Sequence, residues 1–167
     1  QRVPPGGAGA MNEATAGGDG AMAHERQPIW CCACDAVVQA RLTNGAEIYP
    51  NRQDLDHIPF WKCDGCKGHV GTHHKVRKHP TKPIGFIPTP ELRDARQKIH
   101  AMMDPLFLSG RFKRSQLYAR ISLEFGREYH AAELRNLEEA REVWRIVKAI
   151  AAEPGTGSKE NQSDGRA

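Results

Sequence analysis

An α+β fold is predicted: a small antiparallel β domain, a helical C-terminal part of about three helices, and a disordered tail at each end. Three observations predict it. Two Cys-x-x-Cys pairs, Cys31/Cys34 and Cys63/Cys66, lie in a stretch where apolar residues alternate with period two. From Pro90 onward apolar residues recur at helical spacing instead. The ends, rich in Gly, Ala, Pro, Ser and charge, show neither period. The resulting division is a tail over 1–27, a four-cysteine β domain with a basic connector over 28–82, a helical part packing on it over 83–152, and a second tail over 153–167.

The 167 residues amount to about one ordinary domain. With the tails removed, about 125 residues remain to fold, a size at which a modest core benefits from a metal staple. No apolar run approaches the ~20 residues that a membrane helix requires. Five cysteines, four of them paired at metal-ligand spacing, fit a reducing compartment better than a disulfide framework. The nonapolar N-terminal stretch lacks the basic-then-apolar order of a secretory signal. A cytoplasm is therefore the expected location.

Taken in order, Ile29-Trp30 runs into Cys31-Cys32-Ala33-Cys34, and Ala36–Leu42 has the β-branched, alternating character of a strand. Asn44-Gly45 follows. This dipeptide favours a type I′ hairpin turn, so Glu47-Ile48-Tyr49 is expected to return as a strand that Pro50 stops. The polar segment 51–57 reads as a loop or one irregular helical turn. Ile58–Lys62 is expected to enter the second cysteine pair as a strand, and His69-Val70-Gly71 to leave it as another.

The segment 72–90 is basic and broken by Pro80, Pro83, Pro88 and Pro90, with Ile84, Phe86 and Ile87 as expected anchors onto a core. A helix should open at Glu91, behind Pro90, and end near Asp104-Pro105, with Leu92, Ala95, Ile99 and Met102 or Met103 on one face. Leu106, Phe107 and Leu108 then form a short apolar plug. A second helix is expected from about Arg114-Ser115 to a Gly126 stop. The last helix should span roughly Ala131 to Ala151, striped by Leu134, Leu137, Val143, Trp144, Val147 and Ile150. There is no internal repeat.

The four paired cysteines predict a zinc site. A tight Cys-x-x-Cys turn places two sulfurs about 2.3 Å from one ion, and two such turns complete a tetrahedron with no position open for substrate. Two knuckles about 28 residues apart match a zinc ribbon, and a treble-clef variant stays open. Cys32 is left as a free thiol, because Cys-x-Cys with Cys34 fits a knuckle less well, although the sequence does not exclude its replacing Cys31. A redox dithiol expects a βαβ setting, which is absent.

Formal net charge is only +4, but its distribution is uneven. Lys62, Lys67, Lys75, Arg77, Lys78 and Lys82 cluster against the single Asp64, with His69, His73, His74 and His79 among them. Such a surface suits phosphate or another polyanion. The expected nucleic-acid contacts, to DNA or RNA, are Trp61, Lys62, Lys67, His73, Lys75, Arg77 and Lys78. Trp61 is the preferred stacking residue, with Tyr49 and Phe60 as further candidates.

Two other readings compete. The apolar last helix with Trp144 fits a regulator that docks on another protein. The histidines beside a zinc turn fit a small ββα-metal nuclease, but a suitably spaced carboxylate or Asn partner is lacking, and a closed four-cysteine shell makes the metal structural. The acids on the last helix argue against its reading a DNA groove. No catalytic residue and no small-molecule substrate are predicted.

The paired cysteines occur with Arg41-Leu42-Thr43-Asn44-Gly45, Ile48-Tyr49-Pro50, Asn51-Arg52-x-Asp54-Leu55, Phe60-Trp61-x-Cys63-x-x-Cys66, Val70-Gly71-x-His73 and Leu92-Arg93-x-Ala95-Arg96-x-x-x-His100. Met103-Asp104-Pro105-Leu106, Arg114-Ser115-x-x-Tyr118 and Gly126 follow. Together these resemble a family of small zinc-finger-containing proteins of bacteriophages and prophages, over roughly Trp30 to Val147. The resemblance implies a cysteine-ligated zinc domain with a helical C-terminal part, makes a bacterial host cytoplasm the expected location and a host protein the expected target of a phage-type regulator, and singles out His73, Arg93, Arg96 and His100 as matched polar positions. Family members commonly have Cys-Pro-x-Cys where this chain has Cys31-Cys32-Ala33-Cys34, so the extra thiol is a departure.

Overall fold

A computed structural model describes residues 25–154. The two predicted tails lie almost wholly outside the described residues. Four strands, β1 (Arg26–Cys31), β2 (Ala36–Asn44), β3 (Pro59–Lys62) and β4 (His69–Gly71), form one antiparallel meander in sequence order. Arg26 and Gln27, assigned above to the tail, belong to β1. Arg26 pairs with Arg41 across the sheet, and its guanidinium reaches Asp64 and the Gln39 carbonyl.

The meander decides where the cysteines go. Cys31 pairs with Ala36 at the β1–β2 turn, while Lys62 pairs with His69 at the β3–β4 turn. Turns one hairpin apart in an antiparallel meander fall on the same edge of the sheet, which brings the two Cys-x-x-Cys segments together.

The Asn-Gly expectation is corrected. Asn44 ends β2 and caps α1 (Gly45–Ile48), its side chain accepting from the Glu47 amide at 3.4 Å. Gly45 is there because of packing: a Cβ on it would lie 1.9 Å from the Leu55 carbonyl oxygen. Tyr49 is therefore the C-cap of a helical turn, and a 3-10 turn over Gln53–Leu55 leads into β3.

The helical layer comprises α2 (Pro90–Leu108), α3 (Arg114–Phe125) and α4 (Leu137–Ala152). Thr89 caps α2 on the Leu92 amide, and Gly126 closes α3 at φ 75°, as its position predicts. Two boundaries differ from expectation. α2 runs through Pro105 for another turn, and that turn buries Leu106 while leaving Leu108 86% exposed. α4 starts at Leu137 rather than Ala131, because Asn136 caps it on the Glu139 amide. Ala131–Glu133 form a separate 3-10 turn, and Leu134 reaches the core from the link.

Two cores result. A small one under the sheet contains Ile29, Cys31, Ala40, Trp61, Cys63, Val70 and Ile87. A larger one, with Leu92, Ile99, Met103, Leu117, Ile121, Val143, Val147 and Ile150, fills the helical layer. The segment after the basic connector joins them: Ile87 exchanges backbone hydrogen bonds with Trp30 and Cys32, and Phe86 donates to the Ala132 carbonyl. Gly85 allows this approach, since a Cβ there would meet the Ala132 carbonyl oxygen at 2.5 Å. Buried Arg96 ties the same seam through the Phe86 and Leu134 carbonyls. Ile87 is thus the anchor that was expected, whereas Ile84 is exposed.

Candidate metal centre and its basic flank

The Sγ atoms of Cys31, Cys34, Cys63 and Cys66 all lie within 4.8 Å of one another, with Cys31 to Cys66 at 3.4 Å and Cys34 to Cys63 at 3.8 Å. A tetrahedral ion with sulfurs at about 2.3 Å requires sulfur–sulfur separations of about 3.8 Å. The cluster therefore has the donor set and the size for zinc. Cys31 and Cys63 are buried, and Cys34 and Cys66 lie at the surface.

Each turn is closed by one residue in the left-handed region directly after its second cysteine, Asp35 at φ 50° and Lys67 at φ 65°. Burial pushes the Cys31 thiol of the metal-free protein up to about 12. Burial acts in the same direction on Cys63, but the Cys66 and Gly65 amides donate to its sulfur and leave its pKa below the ordinary thiol value. The Gly68 amide donates to Cys66 Sγ at 3.3 Å. Donated amides of this kind disperse thiolate charge.

Cys32 does not substitute for Cys31. Its sulfur faces the helical layer, 3.7 Å from the Leu134 carbonyl oxygen, and burial raises its pKa. Among the described residues, no second group of three His, Cys, Asp or Glu side chains is arranged for a metal.

Of the predicted contact residues, the structure separates two from the rest. Trp61 is 1% exposed and its Nε1 donates to the Thr81 carbonyl at 2.6 Å, so its ring presents no face to a base. Lys62 is mostly covered, with Nζ 2.6 Å from Glu47. Glu47 also accepts from Arg41 and Thr43, and Arg41 foremost holds its carboxyl well below the usual range. Asp64 takes both Arg41 and Arg26, pinning the second cysteine turn to β1 and β2. The Asp64 network has no local sequence signal, because Arg26 and Arg41 reach it only from distant strands.

Lys67 is exposed and donates to the Asp64 carbonyl. His73, Lys75, Arg77 and Lys78 lie together on an exposed excursion spanning 73–82, which also carries Lys82 and no acid. Its backbone closes on itself: Val76 donates to His73, His79 to Val76, Lys82 to His79, and His73 back to Lys82, at 2.7 to 3.2 Å. None of its four Lys and Arg side chains forms an ion pair among the described residues.

Below the sheet edge, Tyr49 Oη lies 2.9 Å from His69 Nε2, and Arg93 Nη2 donates to the His69 carbonyl at 3.1 Å. Burial first, then Arg93 and Lys62, lowers the His69 pKa to about 4. Sequence reading had placed Tyr49 on a strand and His69 in the cationic cluster.

A four-cysteine centre at the edge of an antiparallel meander, backed by a helical layer, defines a zinc-finger type of α+β domain. Residues 27–150 match the family of zinc-finger-containing domains, and the chain belongs to that family. No curated protein and no solved structure matches it. No helix among the described residues is long and apolar enough to cross a membrane.

Proposed function

We propose that this chain is a non-enzymatic module in which a structural zinc ion, held by Cys31, Cys34, Cys63 and Cys66, positions a basic surface for nucleic acid. One observation carries the reading: the 73–82 excursion sets Lys75, Arg77, Lys78 and Lys82 on a backbone closed by its own hydrogen bonds, without a neutralising carboxylate among the described residues. Cations held this way neutralise phosphates with little ordering cost on binding. The bound ion supplies charge that keeps the thiolates deprotonated, and the four-sulfur shell leaves it no position for substrate.

Binding to labelled DNA and RNA across a salt series tests the reading. Replacing Lys75, Arg77 and Lys78 together by Glu should weaken binding, and neutralised contacts at all three positions predict a log–log salt slope shallower by about 2 on a single strand. Absence of binding at low salt, with metal loaded, rejects it.

A second reading, docking on a protein, is favoured by a hollow of about 250 Å³ between α2 and α4, where Ala95, Leu137, Ala140 and partly exposed Trp144 meet. Lys98 and Arg141 line it with a single acid, Glu91, and Lys148 lies over the Trp144 ring, so the occupant of matching chemistry is an acidic amphipathic helix. Trp144→Ala abolishing capture of such a partner, with nucleic-acid affinity unchanged, would favour this reading.

A further inference from the structure

We infer that the hollow bounded by Tyr49, Phe60, His69 and Arg93 seats one unpaired nucleotide, so that the strand drawn to the basic excursion is single-stranded or locally opened. The inference rests on the nucleic-acid reading above and names the class of substrate.

The hollow holds about 170 Å³. That equals roughly five or six waters at their liquid volume, the scale of one ring system rather than a base pair. Its walls are aromatic. Tyr49, Phe60 and His69 meet edge to face, with centroids 5.4 to 5.8 Å apart, so the rings are not stacked on one another. All three are half-buried, as is Arg93. Gly71 keeps one wall low: a Cβ there would meet Ile84 Cδ1 at 3.3 Å and Phe60 Cε1 at 3.9 Å.

Arg93 supplies the polar wall. Its Nη2 is held by the His69 carbonyl and lies 3.4 Å from His69 Nε2. An arginine nitrogen only donates, so Nε2 acts as an acceptor and the imidazole is the neutral tautomer protonated at Nδ1. Arg93 Nε and Nη1 have no hydrogen-bond partner among the described residues, which leaves two divergent N–H donors, either of which can meet a phosphate oxygen or a base edge. Neutral aromatic walls with one guanidinium match an unstacked base and its phosphate. A duplex hides its ring faces and offers only edges and backbone.

The seat and the excursion are one chain step apart. From Gly71 in the wall to Lys75 is four residues, at most about 14 Å of extended backbone, so one strand can reach both. This site uses Tyr49 and Phe60 as the stacking residues in place of buried Trp61.

The test uses the full, metal-loaded chain with a fluorescein-labelled twelve-nucleotide oligothymidylate and a duplex of equal length, at fixed low salt. The oligothymidylate should bind more tightly than the duplex. Tyr49→Ala and Arg93→Gln should each weaken it by about fivefold or more, with duplex affinity, metal content and near-UV circular dichroism unchanged. Photocrosslinking a 4-thiothymidine oligonucleotide to the unsubstituted protein should label Tyr49, Phe60 or His69. This second measurement decides the matter if either variant loses its metal. Adducts confined to 73–82, or variants that keep full single-strand affinity while the triple Glu substitution removes it, overturn the seat and leave the nucleic-acid reading standing. If neither oligonucleotide binds the unsubstituted protein, the reading itself fails and the seat with it.

Discussion

His69 is a residue whose titration the fold clearly alters. Its pKa falls from the ordinary 6.5 to about 4 because burial, Arg93 and Lys62 all oppose the imidazolium. A base with a depressed folded pKa binds fewer protons in the native state, so its contribution to stability is fully present above about 6.5 and is lost as pH falls towards 4. Urea unfolding of the metal-loaded protein at several pH values in that window, with metal content measured at each, should therefore show stability falling more steeply for the natural chain than for His69→Gln. Equal slopes would refute this assignment. The four-cysteine cluster was legible at this scale because each Cys-x-x-Cys is a local pattern with one geometric reading. Trp61 and Lys62 were misplaced because their partners, the Thr81 carbonyl and Glu47, lie far along the chain and leave no mark on the neighbouring sequence.

Among the elements, strands and helices were legible from their periods, while their boundaries depended on caps that periodicity does not see. Asn44 illustrates this. As a dipeptide with Gly45 it favours a hairpin, yet the packed Leu55 carbonyl gives Gly45 another purpose, and the Asn side chain caps α1. Asn136 does the same for α4, setting its start at Leu137, six residues after the start expected at Ala131. Asn136→Ala should lower stability by about 1 kcal/mol, measured by chemical denaturation, because the Glu139 amide loses its acceptor. Pro105 is the opposite case. A proline inside a helix removes one backbone bond and was expected to end α2, but the next turn buries Leu106 in the helical core, which favours continuing.

For the whole molecule, the unequal cores predict how metal removal proceeds. The sheet core has seven buried residues, and two of them, Cys31 and Cys63, belong to the four-cysteine cluster that could hold an ion. The helical core has thirteen and contains no ligand. Structural zinc in small domains contributes about 10–16 kcal/mol of apparent binding energy, so a zinc ion held by this cluster would stabilise the sheet more than the helices. Chelation should expose Trp61 and red-shift the fluorescence while most of the helical circular dichroism remains, and re-addition of zinc should reverse the shift. Loss of both signals together would show instead that the Ile87 seam makes the two layers one cooperative unit. That seam was hidden in the sequence, since Gly85, Ile87, Ala132 and Leu134 have no shared period and meet only in the fold.

The self-closed backbone of 73–82 also has a kinetic meaning. A protease draws its substrate into an extended form, and successive turns bonded back to His73 must open before Lys75, Arg77 or Lys78 can enter a trypsin cleft. The most basic and exposed segment of the chain should then be cut slowly. Its cleavage rate becomes a clock for local opening, slowed further by any bound strand that lies across it.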